Sequence, residues 1–431
     1  MTDLKTTPPE PDPDPEAAGC ACASRSRPGP GILVPAATLS SALGDDVAAT
    51  LSRLADPAPW GDAPEGAAPD AVLERGLAAA EKLGVPEGER TRELLLALAG
   101  AAPLFEKALA AGIPADEIGF VFGGTTGGTR EVTRILRERP EASPEETWEL
   151  MDIGRTAPEI ARAAGVTGPV ITVSTACTAS AKAILEGARL LSIGRVRAVV
   201  AGGVDVLSPL TEGGFSALGA RSARRARPFS ADRSGLHLGE GGGFLLLSTD
   251  EKAFPDARVR LAGGGETSDA HHICAPEPEG RGAAEAIRAA LGGLGPRDIG
   301  LALLHGTATQ QNDAMESRAM LAALPGVPCA SLKRAAGHQL AGAGAFSAAV
   351  AWGLLAGVDS RLPLNFQTDT APSADPQIRP EFLAALTGPA AEPQRLAAPR
   401  ILAAAFAFGG SNAAVLLERI DRTGRGQARR I

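Results

Sequence analysis

Apolar residues along the chain fall into short runs rich in Val, Ile, Leu and Phe, set between stretches whose apolar positions recur three and four apart. The first kind of spacing predicts strands and the second helices, so the alternation reads as α/β. A strand is expected over 32–34 and a helix over 45–54. A Pro- and Gly-rich loop over 55–69 leads to helices over 71–83 and 91–111. A strand over 118–122 then runs into a Gly-rich turn, 123–129, and a helix from Arg130. A strand over 169–173, a helix over 181–191 and a strand over 196–202 form a βαβ unit. Gly239–Gly243 leads into a strand over 244–247. Beyond Arg260 the pattern restarts, with a strand over 259–262, a helix over 283–291, a strand over 299–304 and another over 327–332. Strands over 401–405 and 413–417 flank a second glycine-rich turn. The expected organisation is two similar halves, 32–258 and 259–420.

The ends read differently. Seven prolines in the first thirty positions cannot bury enough apolar surface to fold, so 1–31 is expected to be a disordered tail, and 421–431 a flexible basic one. Residues 339–358 carry no charge but consist mostly of Ala and Gly, which predicts a buried core helix and no membrane insertion. No charged head followed by an apolar core marks a signal peptide at the N-terminus.

Composition narrows the function. With 431 residues, 44% of them hydrophobic, a large core is available; with no tyrosine and 3% aromatics it must be built from small residues. A net charge of −8 argues against general binding to nucleic acid or to anionic membranes. Five cysteines at 20, 22, 177, 274 and 329 form no regular framework and fit a reducing compartment, the cytoplasm. Cys20 and Cys22 have no second pair or nearby histidine and read as exposed thiols, not as a metal site.

Chemistry gathers at a few turns. Ser174–Ser180 carries Cys177 between a strand and an apolar helix, where small hydroxylated residues suggest an N-cap and the helix dipole would lower a thiol pKa. A buried structural cysteine is the alternative on this stretch alone. The Gly123–Thr129 turn lacks the Lys-Ser/Thr end of a P-loop, so close backbone approach is the better reading. Arg221, Arg224, Arg225 and Arg227 are the densest positive charge in the body, either a solvated turn or a docking patch for an acidic partner. His305 and His338 each follow a predicted strand beside glycine, and with Cys177 they would place a thiol and two imidazoles on equivalent edges of a duplicated sheet.

These residues carry a resemblance. TACTAS at 175–180, RPFSADRSGLHLGEG at 227–241, SDAHHICAPEPEG at 268–280, HGTATQQND at 305–313, SLKRAAGH at 331–338 and FAFGGSNA at 406–413 resemble, in order, the β-ketoacyl-acyl carrier protein synthases of the thiolase superfamily. The resemblance spans about 32–419. It implies a thiolase-like, internally duplicated fold in α-β-α-β-α layers, and decarboxylative Claisen condensation of a malonyl thioester with an acyl group held on Cys177. It implies catalytic roles for His305, His338, Lys333 and Glu316, an oxyanion hole from the backbone N–H groups of Cys177 and Phe408, phosphopantetheine binding by Thr307 and Thr309, and an acyl-pocket gate at Phe215 and Phe408. No metal or redox cofactor is expected, since the substrates ride on the phosphopantetheine arm of acyl carrier protein. The expected assembly is a homodimer, or a heterodimer with a chain-length-factor-like paralogue, paired across the strand at 196–202.

Ala407 before the gate phenylalanine, HGTAT, and ETSDAHH at 266–272 look most like ketosynthases of aryl polyene pigment pathways, within fatty acid or polyketide biosynthesis more broadly. A thiolase would carry a second cysteine where Gly409-Gly410-Ser411 stands, and Cys274 and Cys329 read instead as small core residues. A non-catalytic chain-length partner would have lost Cys177. A Ser-His-Asp hydrolase would need a Gly-x-Ser-x-Gly elbow, which is absent.

Overall fold

The computed structural model describes residues 31–58, 60–61, 66–366 and 375–420. Both expected tails, with Cys20 and Cys22, lie outside these residues apart from Gly31. In chain order the elements are β1 (Leu33–Ser40), α1 (Val47–Leu54), α2 (Asp70–Lys82), α3 (Arg92–Ala110), β2 (Ile118–Gly123), α4 (Thr129–Glu138), α5 (Pro144–Met151), α6 (Thr156–Ala163) and β3 (Val170–Val173). They continue with α7 (Ala179–Ser192), β4 (Ala198–Asp205), α8 (Pro209–Ala217), β5 (Gly241–Ser248), β6 (Val259–Ser268), α9 (Arg281–Leu291), β7 (Leu301–Leu304), α10 (Gln310–Ala323) and β8 (Cys329–Ser331). The last are α11 (Lys333–Ala336), α12 (Ala343–Ala356), α13 (Pro380–Leu383), β9 (Arg400–Ala407) and β10 (Ser411–Arg419).

The strand order, β3-β2-β4-β5-β1-β6-β10-β9-β7-β8, makes the duplication explicit. Read inward from either edge, each strand of the second half takes the place of the strand five earlier in the first. β3, β2 and β4 run parallel, as do β8, β7 and β9, and each set is completed by antiparallel strands. The halves meet through the β1–β6 pair Leu33–Arg260.

Three cores give the layers. One lies between the half-sheets and contains α7 and α12; a second packs α2, α3 and α6 outside β2, β4 and β5; a third packs α9, α10 and α13 outside β7, β9 and β10. The sequence AGAFSAAVAWGLLA of α12 is apolar on every side, and twelve of its fourteen residues are buried. That is the expected outcome for a helix sandwiched between two sheets. Its start is later than the uncharged run suggests, because Leu340–Gly342 forms a 3-10 turn with Leu340 at a left-handed φ of 46°.

Two expectations fail. The strand at 196–202 is not an edge: β4 pairs with β2 on one side and β5 on the other. A charge-free apolar strand is what a doubly paired position requires, and the edge of the first half is β3, whose four residues are all half-buried. The arginine cluster is also not a surface patch as a whole. Arg225 is buried, its Nε donating to the Gly61 carbonyl at 2.9 Å and Nη1 to that of Arg334 at 3.2 Å, with its guanidinium 5.4 Å from the Trp60 ring centre. Arg227 pairs with Asp232 at 2.7 Å and Arg221 approaches Glu212 at 3.7 Å, while Arg224 is exposed.

Candidate active site

The parallel strands of the two halves deliver their following turns to one place. Cys177 follows β3, His305 follows β7, and Lys333 and His338 follow β8. Together with Phe215, Thr307, Thr309 and Phe408, the cysteine and both histidines line a cavity of about 610 Å³.

At its base Nε2 of His338 lies 3.2 Å from Cys177 Sγ. The His305 ring stands nearly perpendicular to that of His338, with centres 5.2 Å apart. Lys333 Nζ is 3.4 Å from His305 Nδ1. A lysine ammonium only donates, so it fixes the His305 lone pair on Nδ1 and the ring proton on Nε2. Glu316, on α10, accepts the backbone N–H groups of His305 and Gly306, both at 2.6 Å. Its oxygens therefore hold the turn that carries His305, a more specific task than accompanying the lysine. Thr307 and Thr309 face each other with hydroxyls 3.0 Å apart. Phe215 and Phe408 stack with ring centres 5.9 Å apart at 24°, and Phe408 remains 41% exposed at the mouth.

Backbone strain concentrates at these turns. Ala176, Ala308 and Leu340 adopt left-handed φ values of 52°, 64° and 46°, adjoining Cys177, Thr307 and Thr309, and the His338 segment. Such positions cost about 1–3 kcal/mol each and persist only where surrounding contacts over-determine them. The Gly-rich turn after β2 serves close approach: a Cβ on Gly123 would sit 2.5 Å from the Ser180 nitrogen, at the start of α7. The hydroxyls before α7 do not cap it. Thr178 Oγ1 instead donates to the Thr175 carbonyl at 2.7 Å and meets Ser411 Oγ at 2.9 Å, tying the Cys177 turn to β10.

Electrostatics correct one expectation. Cys177 does stand at the helix start, yet burial pushes its thiol up to about 12, with Lys333 working in the opposite direction. The resting group is a thiol, and His338 Nε2 is the base within reach. Burial, followed by the neighbouring Lys333 charge, holds both imidazoles well below their ordinary value, so both are neutral at physiological pH. Burial also raises Glu316 and lowers Lys333. Cys329 is buried on β8 as expected, whereas Cys274 is exposed and lines the cavity rim.

Two buried carboxylates escaped the sequence reading as site residues. Asp205, ending β4, accepts the N–H groups of Thr125 at 3.1 Å, Thr126 at 3.0 Å and Ala341 at 2.7 Å, besides both threonine hydroxyls. Asp313 accepts the N–H groups of Phe229 at 2.6 Å and Ala308 at 3.1 Å. An aspartate closing the apolar strand AVVAGGVD was the available signal for the first.

Residues 90–253 match the family described as beta-ketoacyl synthase, N-terminal domain, and residues 259–356 match its C-terminal domain. The chain belongs to the β-ketoacyl synthase family. It is an acyltransferase that extends an acyl group by decarboxylative condensation. It is 31% identical to 3-oxoacyl-[acyl-carrier-protein] synthase 2 of Synechocystis over 71% of this chain and 76% of that protein. Identity is also 31% to the tetracenomycin polyketide synthase ketoacyl synthase alpha subunit of Streptomyces glaucescens, over 71% of this chain and 74% of that one. Among solved structures, the ketosynthase ApeO in complex with its chain length factor ApeC, from Xenorhabdus doucetiae, superposes with a TM-score of 0.75 at 31% identity. That alignment covers 90% of this chain and 98% of the other. Among the described residues, no helix is long and apolar enough to cross a membrane.

Proposed function

We propose that Cys177 is the acyl-carrying nucleophile and that His305 and His338 drive loss of carbon dioxide from a malonyl thioester. The convergence of one thiol and two neutral imidazoles at the base of the cavity carries this reading. In the first half-reaction His338 Nε2 takes the Cys177 proton as Sγ attacks the acyl thioester. The carrier's C–S bond breaks, and that proton ends on the carrier thiol. In the second, the His338 ring proton exchanges through solvent from Nδ1 to Nε2. Cleavage of the malonyl carboxylate then releases carbon dioxide and leaves an enolate oxygen that needs donors, which the Nε2–H groups of the two histidines supply. Lys333 fixes His305 in the required tautomer. The enolate carbon attacks the acyl-Cys177 carbonyl, the C–S bond to Cys177 breaks, and the β-ketoacyl thioester remains on the carrier. The leaving thiolate takes the His338 Nε2 proton while Nδ1 regains one from solvent, which restores the resting thiol. The N–H groups of Cys177 and Phe408 are assigned to the oxyanion of that step, Thr307 and Thr309 to the phosphopantetheine arm, and Phe215 and Phe408 to the gate. None of these steps calls for a metal or redox cofactor.

The acyl carrier is acyl carrier protein, and the physiological assembly is a heterodimer with a chain-length-factor-like paralogue; the homodimer is the form expected when the chain is made alone. The likeness to a ketosynthase solved with its chain length factor supports this, as does the half-buried edge strand β3, which offers unpaired backbone groups to a partner. Ala407 ahead of Phe408, with HGTAT and ETSDAHH, supports an aryl polyene substrate class, and the setting is the cytoplasm. Intact-mass analysis with a panel of acyl carrier protein thioesters tests the assignment. Cys177→Ala should form no acyl-enzyme, whereas His305→Ala and His338→Ala should keep some acylation and lose most malonyl decarboxylation. Elongation by Cys177→Ala would remove the nucleophile assignment.

A further inference from the structure

The same three groups make up a ligand set for a soft cation. Cys177 Sγ and one nitrogen from each of His305 and His338 all lie within 4.8 Å of one another. A tetrahedral zinc ion, with bonds of about 2.0–2.3 Å, holds its ligand atoms about 3.5 Å apart. The Cys177–His338 contact of 3.2 Å is already near that edge length, so a modest inward turn of His305 closes the triangle. All three residues are buried, and all three line the cavity, which leaves a fourth coordination position open to water or an incoming thiol.

One residue works against occupancy. Lys333, donating to Nδ1 of His305, keeps the ring proton on Nε2, the nitrogen turned away from the lysine, and a protonated nitrogen cannot ligate. Its charge adds repulsion toward a dication in a buried site. Metal binding at His305 therefore requires the lysine to withdraw and the ring proton to move to Nδ1.

We propose that Cys177, His305 and His338 form an inhibitory site for a zinc-class divalent cation, and that Lys333 sets how weakly it is held. The bound ion takes the Cys177 sulfur as thiolate, releases its proton to solvent and occupies the position that an acyl carbonyl would need. The site is thus a reversible block on the condensing centre and supplies no chemistry to it. Its effect on turnover rests on the proposed role of Cys177, but the binding itself does not.

The test uses the full-length, chelator-treated chain carrying Cys20→Ser, Cys22→Ser and Cys274→Ser, so that Cys177 and the buried Cys329 are the remaining thiols. Titration with cadmium chloride, read by ultraviolet thiolate-to-cadmium charge-transfer absorption, should saturate at about one equivalent. Zinc chloride should compete for the same site. His338→Ala should weaken binding by about 10–100-fold, Cys177→Ala should abolish the band, and Lys333→Met should tighten binding by at least about tenfold. No band, a band that survives Cys177→Ala, or unchanged affinity in Lys333→Met would overturn the proposal. Intact-mass acylation of the metal-free protein runs alongside: metal binding without acylation would count against the functional reading alone, and acylation without metal binding against this inference alone.

Discussion

The carboxylate of Asp205 accepts the backbone N–H of Ala341 at 2.7 Å, three residues beyond His338, while its other bonds hold Thr125 and Thr126. One buried group thus joins the end of β4 to the turn after β2 and to the segment that positions the second imidazole. Its partner Ala341 directly follows Leu340, whose φ of 46° is left-handed. Asp205→Asn keeps the shape but turns an amide donor toward N–H donors, so the His338 segment should shift. A displacement near 1 Å costs up to about 100-fold in rate, so kcat should fall by about 10–100-fold with KM little changed. A merely structural role would stop there. Asp205 also pushes the Cys177 thiol upward, so the variant should alkylate faster at Cys177 at mildly alkaline pH. Unchanged turnover together with unchanged alkylation would remove the positioning role.

Arg224 and Arg225 are neighbours in sequence with opposite fates. Arg225→Glu buries a carboxylate against the carbonyls of Gly61 and Arg334, and breaking such a site costs about 3–5 kcal/mol. The expected result is a large drop in melting temperature and equal loss with every substrate. Arg224→Glu lies at the surface and should change stability by less than about 0.5 kcal/mol. Where the carrier docks on this face, it should raise KM for carrier-bound substrate at low salt and spare a small thioester analogue. Steady-state kinetics at two ionic strengths separates these outcomes.

Periodicity made many of the elements legible, and even α12, apolar all round, could be placed by its lack of charge, but the helices α5, α6, α8 and α10 are not among the elements it predicts. The motifs carried Cys177, His305 and His338 because each stands in a turn after a strand, whereas Glu316 on α10 and Lys333 at the start of α11 came only with the motifs around those turns. What sequence could not show was environment. Arg225 and Arg224 look alike until Trp60 and the Gly61 carbonyl are brought over one of them from far away in the chain. A helix start lowers a thiol pKa only where burial does not outweigh it, and the depth of Cys177 follows from two half-sheets closing over it. An uncharged edge strand and a doubly paired strand have the same composition, so only the pairing with β2 and β5 shows that β4 is internal.

Glu93 gives a prediction about stability. It is buried on α3, one oxygen accepting the Thr156 hydroxyl at 2.7 Å and the other unpartnered, and burial pushes its carboxyl up to about 8. A folded-state pKa above the unfolded value means that the unfolded chain ionises first. The contribution to stability is therefore complete below about pH 4.5 and lost as pH rises through about 8. Glu93→Gln removes that slope. Its unfolding free energy should match the native chain near pH 5 and exceed it near pH 8, by a difference on the order of 3 kcal/mol, with the melting temperature higher in the same direction. Parallel thermal curves at both pH values would refute this if the difference were absent or reversed.

The last prediction concerns the base for Cys177. Acylation at the native rate uses His338 Nε2 as the proton acceptor, and its imidazole is held well below the ordinary value by burial and by Lys333. A group with a depressed histidine pKa keeps its basic form on acidification. Single-turnover acylation, followed by intact mass, should therefore stay level between about pH 8 and pH 6, where a solvent-exposed imidazole would already be largely protonated. Lys333→Met removes the neighbouring positive charge, which should raise the His338 pKa and move the acid limb upward, still short of the ordinary imidazole value of about 6.5 because burial, the larger cause, remains. A native acid limb already at that value would mean that the site is open to water when substrate arrives, and that burial in the resting cavity does not govern the reacting state.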